Sequence, residues 1–133
     1  MAATIQEPAK SFLAKPNFAV LATQSGSGRI QATPVWFLQV DGEILINTSA
    51  GRTKLRNMQA NPQVTLAIVD RDDPYRYVQI QGRVVKFDRE NGAKGIDALS
   101  QRYTGKAYTY RGGDGPKDRV SIHIVPERIT ANL

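Results

Sequence analysis

Alternation of apolar and polar residues predicts that most of the chain forms β-strands. The alternation has a period of two and occurs in six segments, 18–23, 29–40, 43–47, 63–70, 75–87 and 119–133. The Gly/Ser loop at 25–28 and the Asp41-Gly42 pair are typical hairpin turns. Pro34 interrupts the second segment, which predicts a bulge or a sheet edge with backbone free for another partner.

Helical patterns occupy a smaller part of the chain. They cover 5–14, which Lys15-Pro16 closes, then a segment from Gly51 to Pro62, and 92–103. Gly95 lies inside the last of these and weakens the pattern. Strands and helices do not alternate regularly, so the sequence predicts an α+β, mainly β fold with a barrel-like antiparallel sheet.

The composition favours one globular domain over residues 1–133. Hydrophobic residues make up 41% and charged residues 23%, which is a normal balance for a packed domain. No apolar run reaches the length of a membrane span and the first residues lack the apolar core of a signal peptide, so we expect a cytoplasmic protein without membrane contact. With no cysteine and a single histidine, thiolate catalysis, disulfides and multi-histidine metal sites are excluded.

Basic residues at the start of the second helix point to an anionic ligand. The net charge is +6, and residues 44–69 contain no Asp or Glu but include Arg52, Lys54 and Arg56. The start of a helix carries a partial positive charge, so each cation there costs about 0.3–1 kcal/mol unless an anion is bound. A solvated basic helix face is the alternative. The position of the charges favours an anion site.

The order of motifs resembles a known group of proteins. A "TPVWF" strand, the Asp-Gly turn, "TS…R.K..N", Asn61-Pro62 and a glycine in the next long strand follow one another. This set resembles the flavin- and deazaflavin-binding split β-barrel superfamily of pyridoxamine phosphate oxidase, and within it the small reductases that use coenzyme F420. The similarity covers residues 18–83 and the last strand. It implies a split β-barrel (FMN-binding split barrel) with short flanking helices.

The resemblance also assigns residues to the cofactor. It implies that Arg52 and Lys54 hold the cofactor phosphate, with hydroxyl donors before them, and that the ring lies against the backbone around Pro34. Gln79, on the outward face of a long strand, is a candidate contributed by a second chain. The complete set is Thr33, Pro34, Val35, Trp36, Thr48, Ser49, Arg52, Thr53, Lys54, Asn57 and Gln79.

The function implied by the resemblance is hydride transfer from reduced F420 to an unsaturated or quinone-like small molecule, by a homodimer with cofactor at the interface. An FMN-dependent oxidoreductase of the same fold is the first alternative. A cofactor carrier without turnover, or a basic nucleic-acid-binding module, is the alternative of another class. Tyr75, Arg76 and Tyr77 support nucleic acid, but the cations cluster at one helix start instead of along a groove, so we consider it unlikely.

No residue is predicted to be catalytic, because the cofactor supplies the chemistry. His123 alternates with two isoleucines, so we expect it to face away from the core, with cofactor contact as the less favoured reading. Asp72-Asp73 beside Pro74 indicate a turn rather than a carboxylate pair. Trp36 either stacks on a ring or belongs to the core. The glycine-rich loop 104–118 is either a lid or disordered.

Overall fold

The computed structural model describes residues 2–133. In chain order the helices are α1 Ala9–Leu13, α2 Thr53–Ala60 and α3 Gly92–Thr104, and a single 3-10 turn, Pro116–Asp118, precedes the last strand. The strands are β1 Phe18–Gln24, β2 Ile30–Val35, β3 Leu38–Val40, β4 Glu43–Ser49, β5 Gln63–Val69, β6 Tyr77–Asp88 and β7 Arg119–Asn132. This content confirms the predicted α+β, mainly β class.

The strands form one sheet in the order β2-β1-β5-β6-β7-β4-β3, and every neighbouring pair is antiparallel. The sheet wraps around a core that includes Leu66, Ile80 and Ile122, each fully buried. β2 is an edge strand, as the proline predicted. β7 tolerates Pro126 because its pairing with β4 ends at Ile124, and beyond that point the Pro126 carbonyl accepts from the Ala3 N–H instead of from a strand.

The second predicted strand, 29–40, is divided into two. The break falls at Trp36 and Phe37, while Pro34 lies within β2 opposite Val20, so the prediction that Pro34 marks the interruption was wrong. β2 pairs with β1 and β3 pairs with β4, on opposite edges of the sheet. Arg102 donates to the Phe37 carbonyl, so α3 supplies a partner for backbone that leaves the ladder.

The helices match the predicted positions, with one difference. α1 begins at Ala9 and not, as predicted, at Ile5. Pro8 directly precedes the helix, and Glu7 cannot extend it because the residue before a proline avoids the helical conformation. Gly95 lies inside α3 because the helix packs closely on β7. A Cβ at Gly95 would lie 1.9 Å from the Ser121 Oγ. No helix in the described part of the chain is long and apolar enough to span a membrane.

Candidate functional site

Two adjoining cavities lie beside the start of α2. The smaller is lined from β2, β4 and α3, and the larger mainly from the end of α3 and the loop after it. The smaller has a volume of about 290 Å³ and the larger about 730 Å³. Both are lined by Trp36, Arg52, Tyr108 and Arg119, so they form one divided site. The predicted cofactor residues that line the smaller cavity are Pro34, Val35, Trp36, Thr48, Arg52 and Lys54.

The connection from β4 to α2 explains why the cations face this site. β4 ends at Ser49, Gly51 turns the chain with φ +88°, and Arg52 takes the extended conformation that precedes the first helical residue. No side chain caps α2, and its first turn contains no acid. The Leu55 N–H donates to the Arg52 carbonyl, so in the described chain the N–H groups of Thr53 and Lys54 are the ones available to an anion.

Lys54 is held in an unfavourable environment for its charge. Burial lowers the pKa of its ammonium group, and the neighbouring Arg52 guanidinium lowers that pKa further. Among residues 2–133 neither Arg52 nor Lys54 forms an ion pair with a carboxylate. A phosphate would compensate both effects, because an opposite charge favours the charged form of lysine.

Arg56 has a different role from the other two cations. Its Nη1 donates to the Gly51 carbonyl at 2.7 Å and its Nη2 to the Thr53 Oγ1 at 3.2 Å. The side chain thus ties the first turn of α2 to the preceding loop, and it lines neither cavity. Arg56 braces the turn that presents Arg52 and Lys54.

An ion-pair network at the floor of the larger cavity was missed by the sequence analysis. The Arg119 Nη2 lies 2.7 Å from the Asp114 Oδ2, and the Arg119 side chain is only 11% exposed. Its guanidinium lies over the Tyr108 ring, 4.7 Å from the centroid, and donates to the Asn47 Oδ1. The network fixes the loop after α3 against the sheet. No sequence signal marked Arg119, since Asp114 and Tyr108 lie in an irregular loop without periodicity and its third partner, Asn47, lies in a distant strand.

Asp114 also determines the orientation of Ser49. The Ser49 Oγ donates to the Asp114 Oδ1 at 2.8 Å, so its proton is directed away from the smaller cavity and toward the network. Burial alone would raise the pKa of Asp114, but hydrogen bonds from Ser49 and Arg119 outweigh it and the pKa is lowered. Thr48 is 3% exposed, at the wall of the smaller cavity.

Four predicted residues do not line either cavity. Asn57 is buried and donates to the Thr23 Oγ1 at 3.0 Å, which fastens α2 to β1. Thr53 accepts from Arg56, as described above. Thr33 lies next to Pro34 in β2, and its buried Oγ1 has no hydrogen-bond partner. Gln79 lies on the outward face of the sheet.

Two aromatic side chains, Trp36 and Tyr108, line both cavities at the place where the cavities adjoin. Trp36 stacks on Tyr103, with ring centroids 5.3 Å apart and planes at 8°. The Tyr103 hydroxyl donates to the Asn17 carbonyl at 2.6 Å, which fixes this ring from behind. Tyr108 meets Trp36 edge-on at 6.4 Å. Trp36 is half-buried and lines both cavities, so it does not belong to the buried core, and stacking on a cofactor ring stays a prediction.

The remaining candidates lie elsewhere or behave as turns. His123 faces away from Ile122 and Ile124, as predicted, and lies 3.2 Å from the Glu43 Oε1, outside both cavities. The carboxylate of Asp70 accepts from the backbone of Asp72 and Asp73, which confirms the predicted turn.

The loop after α3 is in contact with that helix as well as with the sheet. The Tyr108 N–H donates to the Asp97 carboxylate at 3.0 Å. The loop closes one side of the larger cavity.

Comparison with known proteins gives matches over almost the whole chain. The family model described as pyridoxamine 5'-phosphate oxidase matches residues 5–132. A solved F420 reductase is 29% identical, with a TM-score of 0.84, over 95% of this chain and 98% of that one. A conserved hypothetical protein of Mycobacterium tuberculosis is 26% identical, with a TM-score of 0.74, over 98% of this chain and 87% of that one.

A third similar structure is that of a protein with a different role. It is a heme storage protein from Vibrio cholerae, 18% identical with a TM-score of 0.68, over 97% of this chain and 95% of that one. At this identity it shows the shared fold alone. No curated protein compared with the chain matches it. The matches confirm both the predicted resemblance and the split β-barrel fold.

Proposed function

Because the chain belongs to the pyridoxamine 5'-phosphate oxidase family, we propose that it is an F420-dependent oxidoreductase. When bound, reduced F420 would supply a hydride to an unsaturated or quinone-like acceptor, which would take one proton from water, and the oxidised cofactor would release one proton to water. The similarity to an F420 reductase supports deazaflavin over other cofactors.

The proposal depends on one observation: in residues 2–133, the two cations at the start of α2 have no carboxylate partner, and no side chain caps this helix. Arg52 and Lys54 would hold the cofactor phosphate, together with the free N–H groups of the first turn of α2. The apolar side of the smaller cavity, at Pro34, Val35 and Trp36, would hold the ring. The chain's task is then to orient the ring, exclude water and leave one ring face open to the acceptor.

A homodimer is part of the proposal. On the outward face of the sheet, Phe18 is 46% exposed, Val20 39% and Ile30 73%. Gln79 is opposite Ala67 in the sheet and Ala67 is opposite Val20, so Gln79 belongs to this same face. A second copy packed there would bury the apolar side chains and carry Gln79 toward its partner's cofactor.

An FMN-dependent oxidoreductase is the second candidate. The family contains pyridoxamine 5'-phosphate oxidase itself, and the phosphate of FMN fits the same cation pair. The two differ beyond the phosphate, because F420 continues into a lactate and a polyglutamate tail whereas FMN ends there. The tail would extend from the phosphate across the basic start of α2, which contains Arg52, Lys54 and Arg56.

Titration at two ionic strengths tests the proposal. The ligands are F420, a deazaflavin truncated before the glutamates, FMN and a short single-stranded DNA, each followed by fluorescence. We expect F420 to bind tightest and to lose affinity between low and physiological salt, with a flatter dependence for the truncated form. DNA would show a still steeper dependence.

Three outcomes contradict the proposal in different ways. Tighter binding of FMN than of F420 at both salt concentrations identifies the flavin alternative. Tight F420 binding with no reduction of any unsaturated or quinone acceptor identifies a carrier. Tight binding of DNA with neither cofactor bound excludes an oxidoreductase.

A further inference from the structure

The larger cavity is the feature that the proposed cofactor does not account for. Its volume of about 730 Å³ lies within the usual range for small-molecule sites, and it is more than twice that of the smaller cavity. Trp36 and Tyr108 line both cavities where these adjoin, and together they form an aromatic wall of the site. A ligand in the larger cavity would therefore lie next to a ring bound in the smaller one.

The charged residues of this cavity are strongly unbalanced. Four cations line it, namely Arg52, Lys106, Arg111 and Arg119, against one carboxylate, that of Asp114. Asp114 already accepts from Arg119 and from a serine hydroxyl, so it does not neutralise the other cations. In the described chain Lys106 and Arg111 form no ion pair.

The backbone at Lys106 is fixed by hydrogen bonds, although its side chain is exposed. The Ser100 Oγ donates to the Lys106 carbonyl at 2.8 Å, and the Lys106 N–H donates to the Thr104 Oγ1 at 3.2 Å. Arg111 begins a turn in which the Asp114 N–H donates to its carbonyl. Both cations are thus presented from anchored backbone at the mouth of the cavity, where long basic side chains can reach an anion.

We propose that the larger cavity binds the hydride acceptor, and that the acceptor is a planar conjugated molecule carrying a carboxylate that Lys106 and Arg111 recognise. The aromatic wall suits the planar part and the cations suit the carboxylate. Lys106 and Arg111 are specificity residues and take no part in the redox step. The assignment of the ligand as an acceptor rests on the proposed function, in which reduced F420 supplies the hydride.

The test uses two acceptors that differ in one negative charge and one methyl group. They are a naphthoquinone with a propionate side chain and the methyl ester of the same compound, whose spacer keeps the charge away from the redox ring. The variant is Lys106→Met with Arg111→Met. The matched control is Arg89→Met with Lys94→Met, which removes two exposed cations that line neither cavity.

We expect the Lys106/Arg111 double variant to lower kcat/KM for the carboxylate at least tenfold and for the ester less than twofold. The control variant and the affinity for F420 should both change less than twofold. An equal loss for both acceptors overturns the proposal. A tenfold loss of F420 affinity without discrimination between acceptors also overturns it, because the cavity then holds the cofactor tail.

A second readout does not depend on turnover. Trp36 is the only tryptophan in the sequence and lines both cavities, so quenching of its fluorescence reports occupancy. Cofactor-free protein should bind the carboxylate at least tenfold more tightly than the ester, and the double variant should lose that preference. Equal quenching by both compounds refutes the anion preference. If the protein fails to bind F420 but still prefers the carboxylate over the ester, the proposed function is refuted and the anion site is not.

Discussion

Replacing Lys54 by alanine tests the phosphate site most directly. Lys54 is half-buried beside Arg52, and neither side chain has a carboxylate partner in residues 2–133. The variant removes one cation from the proposed site and leaves the helix and its neighbours in place. Lys94→Ala, at an exposed position of α3, is the matched control.

The size of the effect follows from the partial burial of the ammonium group. Two unit charges 4 Å apart attract by about 1 kcal/mol in water and about 4 kcal/mol at an effective dielectric constant near 20. A hydrogen bond to a charged group contributes about 1.5–3 kcal/mol. We therefore expect Lys54→Ala to weaken F420 binding at least tenfold, which corresponds to about 1.4 kcal/mol.

The cofactor-free protein should respond in the opposite direction. Because burial and Arg52 lower the pKa of Lys54, its charge is unfavourable in the folded state at neutral pH. Lys54→Ala should thus be as stable as the parent protein or slightly more stable. Chemical denaturation measures this. A clear loss of stability would show that Lys54 has a stabilising partner in the folded protein.

The pH dependence supplies an independent check on the same residue. An anion favours charged Lys54 and raises its pKa, so F420 affinity should fall as pH rises through the lowered pKa of the free protein, which lies below the usual 10.5. Lys54→Arg keeps the charge at all accessible pH values and should flatten this dependence. Fluorescence titration across pH measures both. If Lys54→Ala changes the affinity for F420 by less than twofold, the assignment of the phosphate site is refuted.

Three further predictions concern residues outside the phosphate site. His123→Ala should keep turnover within roughly tenfold in steady-state assays, because loss of a true acid–base group costs about 10²–10⁴-fold; a thousandfold loss with an intact circular dichroism spectrum would contradict this. Gly95→Ala should lower the thermal stability of the fold strongly, because its Cβ would lie 1.9 Å from the Ser121 Oγ. Gly113→Ala, whose Cβ would have nothing within 4 Å, is the control and should not destabilise the fold. Equal losses of stability would contradict the close packing at Gly95. Since the pKa of Asp114 is lowered on folding, Asp114→Asn should reduce the stability of the protein at neutral pH. In denaturation experiments the difference in stability from the parent protein should vanish as pH falls through that lowered pKa. A difference that is constant with pH would refute this prediction.

The amino-acid sequence predicted the local features of this protein well. Strand and helix positions follow from periods of two and 3.6 residues, and hairpins follow from turn chemistry such as Asp41-Gly42, whose residues have φ +52° and +81°. The cation pair of Arg52 and Lys54 was visible because it contradicts the usual charge at a helix start. These signals are carried by residues close to one another in the chain.

Contacts between distant segments were decided by the tertiary structure alone. Arg119 reaches the site because β7 pairs with β4 and places it opposite Ser49, and register between distant strands is set by packing of the whole sheet. The division of the second predicted strand likewise depends on α3, whose Arg102 binds the Phe37 carbonyl. A periodic pattern contains no information on such partners. A backbone group leaves the hydrogen-bond ladder of its strand only when another segment of the chain satisfies its hydrogen bond.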